Sequence, residues 1–162
     1  MSFQIPPLDI REPSLDAMKR VLTTNGITID KDEEQDGFIS FYYGNWHCFY
    51  QTEPFQQVYC PISCYEDTDL KDREPFDAEF VAIRQNLIAA LGQPSEIGHH
   101  VYSHRPRSHY YMYSVWQLEH SRLALAQDEF DIQFGLDLSL RFLYKLGPAE
   151  TRIYELSDTP AD

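Results

Sequence analysis

Phe130-Asp-Ile-Gln-Phe-Gly-Leu-Asp-Leu-Ser-Leu-Arg-Phe142 places an apolar residue at every second position for thirteen residues. That two-residue period belongs to a strand with one face buried and one face polar. Gly135, in the middle of the run, marks an expected bulge or bend. Just upstream, Tyr110, Met112, Trp116 and Leu118 share one face of another strand, and Leu123 and Leu125 begin the next, with Gln127-Asp128 as the expected turn. The carboxy-terminal part of the chain therefore reads as an antiparallel meander of about three strands. After Gly147-Pro148 the chain becomes polar, and a loosely held tail is expected.

Before this meander the period lengthens. Phe76, Phe80, Ile83, Leu87 and Leu91 make one helical stripe, widened by Ile88, with Arg84, Gln85 and Asn86 opposite. Asp77 and Glu79 suit its first turn, and Gly92 followed by Pro94 stops it. A loop rich in His, Pro and Ser is expected over Ser95 to Ser108. Further upstream, Phe38-Ile39-Ser40-Phe41-Tyr42-Tyr43 and Trp46 to Gln51 read as two strands joined at Gly44-Asn45. Gln57 to Ser63 is a third strand, which Pro61 would confine to an edge or a strand end. Asp30 to Gly37 reads as an acidic turn. A first short helix is expected after Pro13, with Ser14 as its cap and Leu15, Met18, Val21 and Leu22 on its buried face, ending at Asn25-Gly26.

The resulting order is helix, three strands, helix, about three strands. It contains no βαβ alternation, so the fold class is α+β, with an antiparallel sheet and both helices packed on one face. The 162 residues suit a single domain. No internal repeat, heptad series or low-complexity tract is evident.

The formal charge is −13, which argues against direct contact with nucleic acid or an anionic membrane, since both need a basic footprint. Most of it is local. Residues 28–80 carry thirteen acids and three bases, a charge of −10, on either side of the aromatic segment Phe38 to Tyr65. Solvated loops that keep a protein soluble are the commonest fate of such runs. The functional alternative is a negative surface that holds a basic protein partner through Asp30, Asp32, Glu33, Glu34, Asp36, Glu66, Asp67 and Asp69, with Tyr42, Tyr43, Trp46, Tyr50 and Tyr59 as rigid anchors, many of which a meander turns to the core.

Signals for catalysis are weak. Cys48, Cys60 and Cys64 have neither the spacing of a redox motif nor that of a zinc knuckle, and read as small buried hydrophobes. His99, His100, His104 and His109 lie with Arg105 and Arg107 in a loop without an acidic neighbour, so a solvated basic loop is the simpler reading. His120-Ser121 with nearby Asp128 is a sequence juxtaposition that only geometry turns into a triad. The chain has no glycine-rich phosphate loop and no nucleophile elbow. No enzymatic activity, cofactor or metal is therefore expected. Met1 to Arg20 holds no apolar core of a signal peptide, and no stretch reaches the roughly eighteen apolar residues of a membrane span. A cytoplasmic location, as a monomer or homodimer, is the expectation.

The acidic loops together with the meander Tyr110-Tyr-Met-Tyr-Ser-Val-Trp116 through Glu129-Phe-Asp-Ile-Gln-Phe-Gly-Leu-Asp-Leu138 resemble, in organisation, the small acidic α+β immunity proteins of bacterial polymorphic-toxin systems. The resemblance implies a protein that neutralises a cognate, basic, intracellular toxin by covering its active site. It assigns no individual residue a role. A second resemblance, to type III secretion-like chaperones, implies a dimer that binds an extended effector segment, although a closing helix after the last strand is missing. A small enzyme using His104 or His109 is the third alternative.

Overall fold

The computed structural model describes residues 4–53, 56–65, 73–102, 110–131, 135–146, 149–150 and 153–154. Ser14 opens the first helix, α1 (Leu15–Thr24), its Oγ accepting from the Ala17 amide at 3.0 Å, and α1 buries Met18 and Leu22. Four strands follow: β1 (Ile29–Glu33), β2 (Phe38–Tyr43), β3 (Trp46–Gln51) and β4 (Gln57–Tyr65). The second helix, α2 (Arg73–Leu91), buries Phe76, Phe80, Ile83 and Leu87. It precedes β5 (Glu96–Val101), β6 (Tyr110–Gln117), β7 (Arg122–Asp131) and β8 (Gly135–Leu143). Two residue pairs, β9 (Lys145–Leu146) and β10 (Ala149–Glu150), form a small separate ladder.

The class is α+β, and the large sheet is antiparallel with eight strands in the order β1-β2-β3-β4-β8-β7-β6-β5. The strand count corrects the expectation of three and about three. Asp30 to Glu33, read as part of a turn, is the edge strand β1; only Glu34–Asp36 is a tight 3-10 turn, closed by Gly37 at φ +63°. Residues 96–101, read as loop, are the opposite edge strand, β5. Neither segment has strand-like composition. Pairing to β2 and β6 supplies the ladder that local propensity does not predict.

Three further expectations change: the run from Phe130 to Phe142 is not one strand, because β7 ends at Asp131 and β8 begins at Gly135, which pairs with it. Pro61 lies in β4, which is central rather than at an edge, and the ladder with β8 shifts register between Pro61 and Ser63. A bulge is where a residue without an amide hydrogen fits a central strand. Gln127-Asp128 is not a turn: β7 continues through it, because both side chains find partners inside the protein.

The topology contains a repeat that the residues do not announce. A helix followed by a four-stranded meander occurs twice, and the two units join where β4 pairs with β8. Register then assigns the faces. Ile39 and Phe41, Cys48 and Tyr50, Val58 and Cys60, Phe142 and Leu140, and Leu123 and Leu125 fall on one side, and form a single core with the buried residues of α1 and α2. Both helices thus cover the same face. The lead-in is tied to this side as well: the Tyr144 hydroxyl donates to the Leu8 carbonyl at 2.6 Å, and the Gln56 side-chain amide to Pro13 at 2.7 Å.

The other face differs between the two units. In the second, Ile153 and Tyr154 lie across it. Ile153 packs against Val115, Ala124 and Leu143, and Tyr154 stacks on His100 at 4.2 Å. Tyr154, within the stretch expected to be a loose tail, is buried, and its hydroxyl donates to the carbonyls of Tyr111 and Gln127. Small Ala124 and Ala126 on β7 leave space for this covering segment. In the first unit the matching positions on β3 are His47 and Phe49, and their rings stand out from the sheet.

Candidate partner-binding surface

The acidic residues of the first unit are gathered along one border of the sheet. Asp30, Asp32 and Glu33 are on β1, and Glu34 and Asp36 are in the adjoining 3-10 turn. An open groove is lined by Asp32, Glu33, Glu34, Gln35 and Asp36. They do not all point the same way. Asp32 pairs with Ile39 in register and meets Lys19 of α1 at 2.7 Å, while Glu34 reaches the same ammonium at 2.5 Å. Hydrogen bonds from Lys19 to Asp32 and Glu34 hold its pKa well above the ordinary lysine value. Glu33 is drawn below its ordinary value by its hydrogen bond with Lys31. Asp30 turns to the helix-free face, within 3.3 Å of His47 Nε2 and hydrogen-bonded by the Ser40 hydroxyl at 3.4 Å. An edge strand carrying this much charge, with a register shift between Ile29 and Lys31, resists pairing with a further strand.

Tyr43 and Trp46 lie on the helix-covered side. They oppose each other at the β2–β3 hairpin and pack partly buried against the main core, and the Tyr43 hydroxyl donates to the Ile5 carbonyl. The rings facing outward are their neighbours of opposite parity. Tyr42, 49% exposed, stacks on His47 at 4.5 Å; His47 meets Phe49 at 4.7 Å; Phe49 contacts Phe38 at 5.7 Å and Tyr59 at 6.5 Å. This aromatic ladder runs from the acidic edge towards the β4–β8 seam; Tyr42 is its exposed member, while Phe38, His47, Phe49 and Tyr59 are partly buried. Glu66, Asp67 and Asp69 lie outside the described residues.

At the seam the helix-free face holds a buried polar cluster. Arg141 donates to Asp128 at 3.2 Å, to Ser139 at 2.9 Å and to the Ile153 carbonyl at 2.6 Å, with its guanidinium over the Tyr59 ring. Burial opposes the Arg141 charge, but Asp128 and Asp137 more than restore it. Tyr102 donates to Asp128 at 2.7 Å, and burial with that carboxylate beside it pushes its hydroxyl far up. Asp137 accepts from the Tyr59 hydroxyl, while its Oδ1 has no hydrogen-bond partner. Burial raises its carboxyl to about 6, against the pull of Arg141. Two aspartates and one arginine here fasten strands β4, β7 and β8 and the Ile153–Tyr154 segment together.

Among the described residues the catalytic alternatives gain no geometry. Ser121 donates to Asp9 at 2.6 Å and the His120 backbone amide donates to the same carboxylate, whereas the His120 ring faces Glu119 at 3.7 Å. Asp9 therefore clamps the β6–β7 turn, and Asp128 belongs to the seam. Cys48 and Cys60 are buried; a hydrogen bond donated to Cys48, then burial, push the Cys60 thiol up. Cys64 is exposed, with its thiol raised by burial and by Asp137. Raised thiols are poor nucleophiles. His99 and His100 alternate on β5, the first exposed and the second buried under Tyr154, while His104, Arg105, Arg107 and His109 lie outside the described residues. Among the described residues no group of three or more His, Cys, Asp or Glu is placed to hold a metal ion, and no helix is long and apolar enough to cross a membrane.

Sequence reasoning found the acidic segment and its aromatic neighbour; of the rings it named, Tyr43, Trp46 and Tyr50 lie on the helix-covered side and Tyr42 and Tyr59 on the other. Comparison with protein-family models, with curated proteins and with solved structures gives no match for this chain.

Proposed function

We propose that this is a non-enzymatic acidic binding protein that neutralises a basic intracellular toxin by covering its active site, the role of the immunity proteins it resembles. One observation carries the reading: Asp30, Asp32, Glu33, Glu34 and Asp36 line one sheet border beside an aromatic ladder whose outer ring, Tyr42, is half exposed. Long-range attraction from such an edge accelerates encounter with a basic partner, and rigid rings supply contact area once it arrives. Lys19 already neutralises part of Asp32 and Glu34, so Glu33 and Asp36 are the acids to reverse without disturbing α1.

The test begins with capture of the partner from the native host, followed by stopped-flow association with the purified pair. Glu33→Lys with Asp36→Lys should slow association about tenfold or more at low salt, and the difference should shrink as salt is raised. An unchanged rate at low salt refutes the electrostatic reading. A chaperone-like role is the second reading, favoured by the two helix-and-meander units already joined edge to edge in one chain. It requires a dimer in the absence of partner and recognition of an unfolded segment, whereas the first reading requires a one-to-one complex with a folded protein.

A further inference from the structure

We infer that the outer end of the ladder in the first unit is a binding site for an arginine side chain of the basic partner, whose guanidinium lies over the outer face of Tyr42 and pairs with Asp30. The inference rests on the binding reading above and specifies its chemistry. The protein twice builds the same constellation for its own arginines. Arg73 lies 3.8 Å from the centre of the Tyr110 ring, pairs with Asp77 at 3.1 Å, and Tyr110 donates to that aspartate at 3.3 Å. Arg141 lies over Tyr59 at 5.2 Å and pairs with Asp128 at 3.2 Å, while Tyr59 donates to Asp137. A tyrosine ring beside an aspartate thus accepts a guanidinium in both places.

A related arrangement, in which a histidine stands between the tyrosine and the aspartate, is on the helix-free face of β2 and β3. Tyr42 stacks on His47, and Asp30 Oδ2 is 3.3 Å from the His47 ring. Among the described residues no Arg or Lys lies over Tyr42, His47 or Phe49: Lys31 is engaged with Glu33 at 3.2 Å and Lys19 with Asp32 and Glu34. The outer face of Tyr42, 49% exposed, and the solvent-facing part of Asp30, beside His47 and Ser40, are therefore within reach of a cation from outside. Arginine fits better than lysine because its planar guanidinium stacks on a ring while its edge forks to a carboxylate. Charge complementarity names the occupant, since the surrounding segment carries −10. On the matching face of the second unit the chain itself lays two side chains across the sheet, Ile153 and Tyr154, with Ile153 held through its carbonyl by Arg141.

The probes are acetyl-Gly-Arg-Gly-Arg-Gly-amide, its lysine counterpart and its citrulline counterpart, titrated into the full chain and followed by NMR. Citrulline keeps the planar shape and removes the charge. The arginine peptide should move the ring signals of Tyr42, His47 and Phe49, the lysine peptide should do so more weakly, and the citrulline peptide should not. Tyr42→Ala and Asp30→Asn should each weaken arginine-peptide binding by about two- to fivefold. Tyr42 is half exposed, so its loss leaves the core intact, and Asp30→Asn is a second variant that keeps size and shape. Equal binding of the citrulline peptide, shifts confined to residues 32–36, or no shift at all overturns the inference. The two readings fail separately. Reversal of Glu33 and Asp36 that slows the natural partner, with no peptide at the ladder, removes only the arginine site. Arginine at the ladder with no effect of that reversal removes only the steering.

Discussion

Replacing Asp137 with Asn tests whether one buried carboxyl, rather than the acidic surface, bends the pH dependence of stability. Asp137 is 1% exposed in the middle of the sheet. The groups that face it are Tyr59 and Cys64 from β4, Asp128 from β7 and Arg141 from β8. Burial lifts its carboxyl from 3.8 to about 6, so between these values the native state holds a proton that the unfolded chain has released. The stabilisation from that proton is complete below about pH 3.8 and is lost as pH rises through about 6. At about 1.4 kcal/mol per pH unit, the window from about pH 4 to about pH 7.5 removes about 2 to 3 kcal/mol. Asn cannot titrate, so the variant escapes this loss. Urea denaturation of both proteins across that window should show the variant gaining about 2 to 3 kcal/mol relative to the parent towards neutral pH. The pairwise difference cancels the surface carboxylates, which act alike in both. A difference that stays flat or falls with rising pH refutes the buried proton.

Ser14→Ala removes the acceptor for the Ala17 amide at the start of α1 and should cost about 1 kcal/mol in denaturant midpoint analysis; no loss means that α1 is held by packing alone. Gly37→Ala and Gly26→Ala separate strain from crowding, since both residues have positive φ but only at Gly37 would a Cβ fall 2.0 Å from Thr52 Oγ1. Gly26→Ala should cost about 1 kcal/mol, from the backbone conformation alone, and Gly37→Ala clearly more; equal losses refute the close approach.

The legibility of each element follows from where its information lies. α2 was plain because Phe76, Phe80, Ile83 and Leu87 repeat at helical spacing and are the residues it buries. β2 and β3 were plain because strand formers flank Gly44-Asn45, and their bounds are as expected. β1 was hidden because an edge strand in contact with solvent carries charges, and Asp-Lys-Asp-Glu offers no alternation to detect. β5 was hidden for a similar reason: its apolar content is Ile97 and Val101, and Ile97 is 61% exposed. Gln127-Asp128 looked like a turn because the partners that make those side chains acceptable inside a sheet are Arg73, Asp77, Tyr102 and Arg141, all distant in sequence.

The sequence by itself determined the class, both helices, the central hairpin and the concentration of acid around an aromatic segment, since composition and period are local properties. It could not choose between Tyr42, His47 and Phe49 on one side and Tyr43 and Trp46 on the other. A period of two separates these sets, but both are aromatic, so hydrophobicity does not say which is inward. That choice was made when α1 and the lead-in settled on one face and drew Tyr43 against Ile5. The tertiary structure likewise decided the join of β4 to β8, which brings together Asp137, Arg141 and Tyr59 from segments that share no local signal. Which face of a sheet is covered, and which carboxylates lose their water, depend on contacts far apart along the chain.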